Sequence, residues 1–283
     1  IRFVSVDGVT VFDHEIEAWN EAGDSFVWVK IPTVAQQGET PTAFHLYFGN
    51  EDAADTSAPA NVWSNGYTSV HHMGTLTDST QTGHDGVPIG GPTMVVDGLA
   101  GPATAFDGID DYIALPHEDH YDFSNELTVE AHIRVTSFGP QWQAIVTKGD
   151  STWRLHRMRN EPTVAFSSNN SGVPHNLSAA TSVADGAWHG VAMSLGGDEK
   201  RVFVDGGEEN TVLFTLSVDE TNDPVTIGYN TQQPNRLFQG DIDEVRISSI
   251  QRSTTWLAVS HRSMLDGGVV HYDSEHEICV AGQ

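Results

Sequence analysis

Short runs of β-branched and aromatic residues, separated by turn-forming pairs, constrain the fold of this chain more than any other feature. Clear examples are residues 27–31, 128–133, 202–206 and 225–228. Asp-Gly and Gly-Gly pairs stand at residues 85–86, 185–186, 196–197 and 205–206. Such pairs supply the positive-φ corners that antiparallel hairpins need, and helical periodicity is almost absent. The pattern therefore predicts an all-β protein.

Two domains are expected from the length of 283 residues, since single hydrophobic cores rarely grow past ~250 residues. Residues 51–65 are small and polar and have no apolar period, which favours a boundary near residue 63. We expect a small β domain at 1–63 and a larger one at 64–266. The acidic tail, 267–283, is expected to add an edge strand or to lead into further sequence.

A single short helix is predicted, at residues 253–260. Ser253 can cap its N-terminus, and Trp256 and Val259 fall on one face at helical spacing. No helix longer than about three turns is expected elsewhere.

Charge excludes several classes of partner. The chain carries 39 acidic and 13 basic residues, a net charge of -26. Binding to nucleic acid needs clustered Lys and Arg, so no nucleic-acid partner is expected, and an anionic membrane surface would repel the chain. The acidic residues are scattered, which favours a solvated surface suited to high salt. No apolar run is long enough to span a membrane, and Cys279 is the only cysteine.

Residues 1 to about 60 resemble the second half of the DUF2341 family, a β-rich domain of bacterial and archaeal surface proteins. The matching segments are 1–3, 7–8, 14–19, 27–32 and 46–50. The resemblance implies strands upstream of residue 1. A domain without them would expose an edge or borrow a strand from a neighbouring chain, because unpaired edges pair readily.

The rest of the chain resembles a laminin-G-like, concanavalin A-like domain. The matching segments are 78–86, 105–113, 127–130, 145–149, 188–189, 202–206 and 240–247. This resemblance implies a jelly-roll β-sandwich. It also implies an extracellular or cell-surface module that binds a glycan or glycosylated surface, serves adhesion and does not catalyse a reaction.

Aspartates at two hairpin ends are candidate ligands of a structural Ca²⁺ ion. In similar sandwiches, an aspartate in the position of Asp243 often ligates calcium together with an early loop, which here carries Asp107, Asp110 and Asp111. Calcium requires several oxygen ligands at about 2.3–2.6 Å, and aspartates supply them. Alternatively, Asp107 forms a hairpin corner and Asp243 accepts hydrogen bonds from backbone amides or pairs with Arg246.

Sugar binding would depend on aromatic rings that stack on pyranoses and on planar polar side chains that bind hydroxyls. The candidates are Trp142, Trp153, Arg154, Arg157, Asn169, Asn170, Tyr229, Asn230 and Arg236. Trp153 is equally open to an interpretation as a core residue. The segment 167–176 is polar and contains Gly and Pro, and is expected to be an exposed loop.

Two alternative functions stay open. The chain could be an assembly protein that binds copies of itself, or a polysaccharide-degrading enzyme. Glycosidases use two carboxylates about 5–9.5 Å apart, and neighbours such as Glu15 and Glu17 could provide them. No catalytic motif supports that function, and the histidines, among them His117 and His120, lack the helical i,i+4 spacing of a zinc site.

Overall fold

A computed structural model describes residues 1–35, 39–40, 42–265 and 270. The fold is almost entirely β, with 40% strand and 7% helix. The N-terminal elements are β1 (Arg2–Ser5), β2 (Val11–Phe12), β3 (His14–Ala18), β4 (Phe26–Val29), β5 (Phe44–Tyr47) and α1 (Pro59–Val62). They form a three-stranded sheet in the order β2-β1-β5 and a two-stranded sheet, β3-β4. Among the described residues, these strands therefore pair with one another and not with the two larger sheets, and the division into domains stays a prediction.

Two larger sheets follow. Their strands are β6 (Tyr67–His71), β7 (Val87–Ile89), β8 (Thr93–Val95), β9 (Ala103–Asp107), β10 (Tyr112–Leu115), β11 (Leu127–Arg134), β12 (Ala144–Lys148), β13 (Trp153–Arg157), β14 (Val164–Asn170), β15 (Val173–Ser178), β16 (Trp188–Gly196), β17 (Glu199–Val204), β18 (Gly207–Leu213), β19 (Val225–Ile227) and β20 (Gln239–Ser248). A short 3₁₀ helix, Glu118–Tyr121, follows β10.

The seven-stranded sheet has the order β15-β14-β13-β12-β19-β10-β7, and the eight-stranded sheet has the order β18-β17-β16-β11-β20-β9-β8. Strand β6 completes the latter by pairing with β20 beyond the end of β9. All strand pairs in both sheets are antiparallel, and their apolar side chains meet in one core cluster. Two sheets packed face to face in this way form a β-sandwich.

Alternation along the strands gives the seven-stranded sheet an inner and an outer face. On β10, Ile113 and Leu115 belong to the core, so Tyr112 and Ala114 lie on the outer face. On β13, Trp153 and Leu155 are core residues, which places Arg154 on the outer face.

The predicted C-terminal helix is present as α2 (Thr254–Ser263). The Oγ of Ser253 accepts a hydrogen bond from the Trp256 backbone N–H, as expected of the cap. The buried contact differs from the prediction, because Leu257 packs against Ala192 and Phe203 while Trp256 stays 40% exposed.

The predicted tail at 267–283 and Cys279 lie outside the described residues, apart from residue 270. Among the described helices, none has the length and apolar character needed to cross a membrane.

Candidate functional site

A shallow pocket lies at one end of the outer face of the seven-stranded sheet. It has a volume of about 260 Å³ and is lined by Ile89, Gly90, Ile109, Asp110, Tyr112, Tyr229, Pro234 and Leu237. We call it the tyrosine pocket. The rings of Tyr112 and Tyr229 are 4.7 Å apart between centroids and inclined by 35°. Ile109 is 74% exposed, and the Asp110 side chain is exposed as well. The pocket thus offers apolar ring surface next to a carboxylate.

Backbone geometry shapes the pocket wall at Gly90. This residue has φ +85°, and a Cβ there would lie 2.2 Å from the Asp110 carbonyl oxygen. Any other residue would therefore push the strand end of β7 away from Asp110.

The loop 228–238 carries the other wall and is firmly attached to the sheet. Its ends are joined by a hydrogen bond from the Phe238 N–H to the Gly228 carbonyl. The hydroxyls of Thr147 and Thr226, on the outer face, both donate to the Tyr229 carbonyl, at 2.8 and 2.7 Å. The aromatic wall is consequently positioned before any ligand binds.

Asp150 attaches the same loop from the side. Its carboxylate accepts from the Asn230 side chain and pairs with Arg236 and, at 3.3 Å, with Arg154. The guanidinium of Arg236 also lies 5.8 Å from the centroid of the Trp142 ring. The structure thus brings five of the predicted sugar-binding residues, Tyr229 included, to one end of this face. Only Tyr229 lines the pocket, because Asn230 is 1% exposed and the two arginines are paired.

The other four predicted sugar-binding residues lie elsewhere. Trp153 is fully buried in the core, and its indole N–H donates to the Tyr121 carbonyl at 3.1 Å. Arg157 donates to four backbone carbonyls of the loops at 139–140 and 160–161. Asn169 and Asn170 end strand β14, and the Asn170 amide donates to the Ser217 carbonyl. The predicted exposed loop at 167–176 is largely a β-hairpin, which turns at Ser171 and Gly172.

The four aspartates expected to share a calcium ion divide into two places. Oxygen atoms of Asp107, Asp110 and Asp111 lie within 4.8 Å of one another. Asp107 also accepts from the Ile109 N–H, and Asp111 accepts from the Asp107 N–H, as in a hairpin corner. These three carboxylates could hold a hard cation, and calcium binding stays a prediction.

Asp243 does not join them. Asp107 pairs with Gln239, and Asp243 lies four residues further along β20, about 13 Å away at the usual rise per strand residue. Its carboxylate accepts from the Leu99, Ala100 and Glu244 N–H groups. The expectation of one site that includes Asp243 is therefore wrong, and the alternative of amide binding describes this residue.

A buried polar cluster joins the N-terminal strands to the eight-stranded sheet. We call it the Glu–His–Trp junction; it consists of Glu15, Glu17, Trp28, Trp63, His72, Glu244 and Arg246. The His72 ring lies 2.6 Å from Glu244 through Nδ1 and 3.2 Å from Glu15 through Nε2. The indole N–H groups of Trp28 and Trp63 donate to Glu17 and Glu15. Polar groups of two chain regions thus bind one another, although Glu17 Oε1 and Arg246 Nε have no hydrogen-bond partner among the described residues.

Charge is arranged in this junction around two cations. Burial opposes the positive charge of His72, but Glu244, Glu15 and Glu17 outweigh it and raise its pKa to about 10. Burial likewise opposes the charge of Glu244, yet His72 and Arg246 lower its pKa to about 2. Burial, with repulsion from Glu244, raises the pKa of Glu17 to about 9. His72 and Glu244 therefore form an ion pair at neutral pH, and Glu17 holds a proton.

A β-bulge directs Glu244 into the junction. Glu130 pairs with Arg246 and His132 with Asp243, so Glu244 and Val245 together face the single residue Ala131. Glu244 has φ +53°, a region that residues with a Cβ rarely adopt. The buried contacts with His72 and Arg246 accompany this strained backbone.

Sequence reasoning missed Tyr112 as a pocket residue and missed the junction. Tyr112 stands in a short strand where alternation marks it as outward, and this was the available signal. No comparable signal existed for the junction, because His72 and Glu244 are 172 positions apart. The side chains of Glu15 and Glu17, considered as a glycosidase pair, are only 9% and 5% exposed and accept from the indole N–H groups of Trp63 and Trp28.

Comparison with known proteins agrees with the fold. Residues 107–258 match the family model of the Concanavalin A-like lectin/glucanases superfamily, Laminin_G_3, and residues 1–80 match DUF2341, a domain of unknown function. The first match covers more than half of the chain. The chain therefore belongs to the concanavalin A-like lectin/glucanases superfamily. The DUF2341 match starts at residue 1 and includes β6, so it extends past the boundary expected near residue 63.

Solved structures resemble the sandwich at low sequence identity. The binding domain of Paraclostridial Mosquitocidal Protein 1 has a TM-score of 0.60 and 11% identity, over 71% of this chain and 53% of that one. Domain 4 of AbnA, a GH43 extracellular arabinanase from Geobacillus stearothermophilus, was solved with arabinotriose. It has a TM-score of 0.57 and 20% identity, over 68% of this chain and 97% of that one. The binding domain of Botulinum Neurotoxin DC, in complex with SialylT, has a TM-score of 0.56 and 11% identity, over 71% of this chain and 52% of that one.

This chain thus spans about half the length of the toxin binding domains that it resembles. At these identities the likeness establishes the fold alone. No curated protein matches the sequence.

Proposed function

We propose that this protein is a non-catalytic carbohydrate-binding module of an extracellular or cell-surface protein, and that the tyrosine pocket is its sugar site. The observation that carries the proposal is the pair of tyrosine rings beside Asp110 at an open concavity on the outer face of the seven-stranded sheet. Aromatic rings stack on the apolar faces of sugars, and a carboxylate accepts hydrogen bonds from their hydroxyls.

The charge of the pocket favours a neutral glycan. Asp110 is exposed, while the nearby cation of Arg236 is already paired with Asp150. The net charge of -26 would repel a polyanionic chain. Support for a saccharide ligand also comes from AbnA domain 4, a fold neighbour solved with arabinotriose.

A glycan array followed by calorimetric titration of the best neutral ligand tests the proposal. Tyr229→Ala and Tyr112→Ala should each weaken binding about tenfold or more, because each removes one stacking surface. Tyr47→Ala is the matched control, since Tyr47 is exposed on β5, far along the chain from the pocket. Unchanged affinity in both pocket variants, or no neutral glycan bound by the wild type, would refute the assignment.

Trp142→Ala tests a rival location for the same function. Trp142 lies beside Arg236 and His156 on this face, with 5.5 Å between the Trp142 and His156 ring centroids. If binding depends on Trp142 and not on the tyrosines, the sugar site lies around Trp142, Arg236 and His156 instead.

An assembly role is a second proposal, favoured by apolar side chains on the N-terminal strands and turns. Val9 is 81%, Val11 56% and Phe48 57% exposed. Such surface can pair with a copy of the chain or accept a strand from a neighbour. Sedimentation analysis should then show an oligomer that Val11→Lys dissociates, and a monomer at all concentrations would contradict this role.

A further inference from the structure

Three histidines from two separate segments meet beside the short 3₁₀ helix. His117 and His120 flank its first turn, and His84 comes from the loop that precedes β7. The ring centroids are 5.0 Å apart for His84 and His117, 4.7 Å for His84 and His120, and 5.8 Å for His117 and His120. In the part of the chain that the structure describes, no hydrogen bond joins these three imidazole rings to one another.

We propose that His84, His117 and His120 bind a divalent transition-metal ion of the Zn²⁺, Ni²⁺ or Cu²⁺ class. Imidazole nitrogen is the ligand that these ions share. With metal–nitrogen bonds of about 2.0–2.1 Å and tetrahedral angles, the centres of three coordinated imidazole rings lie about 5 Å apart. The observed triangle of ring centres has this size.

His84 has the features of an anchored ligand. Its side chain is 2% exposed, and Nδ1 lies 3.3 Å from the hydroxyl of Tyr121, which is itself buried. A metal-bound histidine commonly donates its second ring N–H to a fixed partner, and this contact leaves Nε2 for the ion. The position of the buried ligand is thus set by the fold.

His117 and His120 supply the movable part of the site. Both side chains are exposed, and the His117 backbone has φ +57°, an uncommon conformation for a residue other than glycine. The three rings lie against one another, and their nitrogens do not form one of the close ligand groups among the described residues. Rotation of two exposed side chains, which costs little, brings the nitrogens together.

The surrounding charge favours a cation and leaves the histidines as its ligands. Glu118, within the same helix, is paired with Lys148. Asp78 accepts hydrogen bonds from the backbone N–H of His84 and from other backbone amides. Asp119, also in this helix, is exposed. A water molecule or Asp119 can complete the tetrahedral set, and the ion then cross-links the loop before β7 to the helix.

Titration with Co²⁺ and with Zn²⁺ tests this site. The wild type should bind one equivalent at this site and show the visible d–d bands of tetrahedral Co²⁺, which Zn²⁺ displaces. His117→Ala and His120→Ala should each weaken binding tenfold or more. Because the chain has 14 histidines, His45→Ala is the control for incidental binding, since His45 is exposed and its ring contact is with Tyr47.

The double variant His117→Ala/His120→Ala should lose the tetrahedral bands while its circular dichroism spectrum stays that of the wild type. The proposal is overturned if the double variant keeps the wild-type stoichiometry and affinity, or if the wild type shows no tetrahedral Co²⁺ spectrum. Glycan binding is measured separately and decides nothing about this site.

Discussion

The tyrosine pocket and the Glu–His–Trp junction use the same residue types for opposite purposes. Both place carboxylates beside aromatic rings. In the junction the indole N–H groups and His72 satisfy the carboxylates, and Glu244 is fully buried. In the pocket Asp110 and the faces of two tyrosines remain open to solvent. Burial decides the role: the enclosed set holds two regions together, and the open set is available to a ligand.

The two regions also differ in how their charges are compensated. An ion pair removed from water is costly unless its geometry is good and its remaining atoms are bonded, and loss of one partner leaves the other charge uncompensated. The junction has the close ion-pair geometry through His72, Glu244 and Arg246, although the Nε of Arg246 has no hydrogen-bond partner among the described residues. The pocket holds a single exposed carboxylate, whose charge is screened by water.

The largest effect is expected from His72→Ala. This substitution leaves Glu15 buried without its cation and removes one of the two cations of Glu244, which keeps Arg246. The free energy of unfolding should therefore fall by about 3–5 kcal/mol. Tyr112→Ala, in the pocket, should lower it by about 1 kcal/mol, because its side chain is partly exposed. Urea unfolding followed by tryptophan fluorescence measures both. If both variants lost the same free energy of unfolding, the junction would contribute no more to stability than the pocket, which contradicts the prediction.

The free energy of unfolding should depend on pH through the junction and not through the tyrosine pocket. The pKa of His72 is raised from 6.5 to about 10, so its ion pairs contribute fully below pH 6.5 and are lost as pH rises through 10. The pKa of Glu17 is raised from 4.5 to about 9 and that of Asp243 from 3.8 to about 8. A carboxyl group that holds its proton more tightly in the folded state also loses stability as pH rises.

These three groups act in the same direction, and Lys200, whose pKa burial lowers from 10.5 to about 7, acts in the opposite one. Because the three outweigh the one, the free energy of unfolding should fall between pH 6.5 and pH 10. Glu17→Gln should make this fall less steep, because an amide keeps the shape of the side chain and does not titrate. Tyr112→Ala is the control and should keep the wild-type slope. Stability that rises with pH over this range in the wild type would contradict the assignment of charges.

An effect smaller than that of His72→Ala is expected from calcium at the end of the pocket. Asp107, Asp110 and Asp111 converge, and an ion bound only by the folded state would stabilise it by about 2.7 kcal/mol at a hundredfold excess over Kd. Melting in calcium and in chelator, at constant high ionic strength, measures the increment. Asp110→Asn should abolish it and Asp243→Asn should retain it. Equal melting in the two buffers would leave these aspartates as turn formers only.

Sequence reasoning succeeded where structure is local. The strands at 128–133 and 202–206 and the cap at Ser253 were predictable, because alternation, turn pairs and capping depend on neighbouring residues. The concanavalin A-like sandwich was predictable as a resemblance carried by motifs in order. The domain boundary near residue 63, the tail and the glycan remain predictions.

The sites were only partly predictable. Tyr229, predicted by its type to bind a ligand, lines the pocket, but Trp153, which is aromatic as well, belongs to the core. A tryptophan in a strand points to either face, and a shift of one position reverses its role. Composition therefore identifies candidate residues without deciding which of them reach solvent.

By itself, the sequence determined an all-β fold, an acidic surface and a set of aromatic and carboxylate residues suited to either packing or binding. Only the tertiary structure decided which of these residues pack in the interior and which are available to a ligand. It placed His72 against Glu244, Tyr112 against Tyr229, and His84 against the histidines of the 3₁₀ helix. The physical reason is that strand pairing brings distant residues together through backbone hydrogen bonds. These bonds are the same for nearly every residue type, so the sequence does not show which side chains they bring into contact.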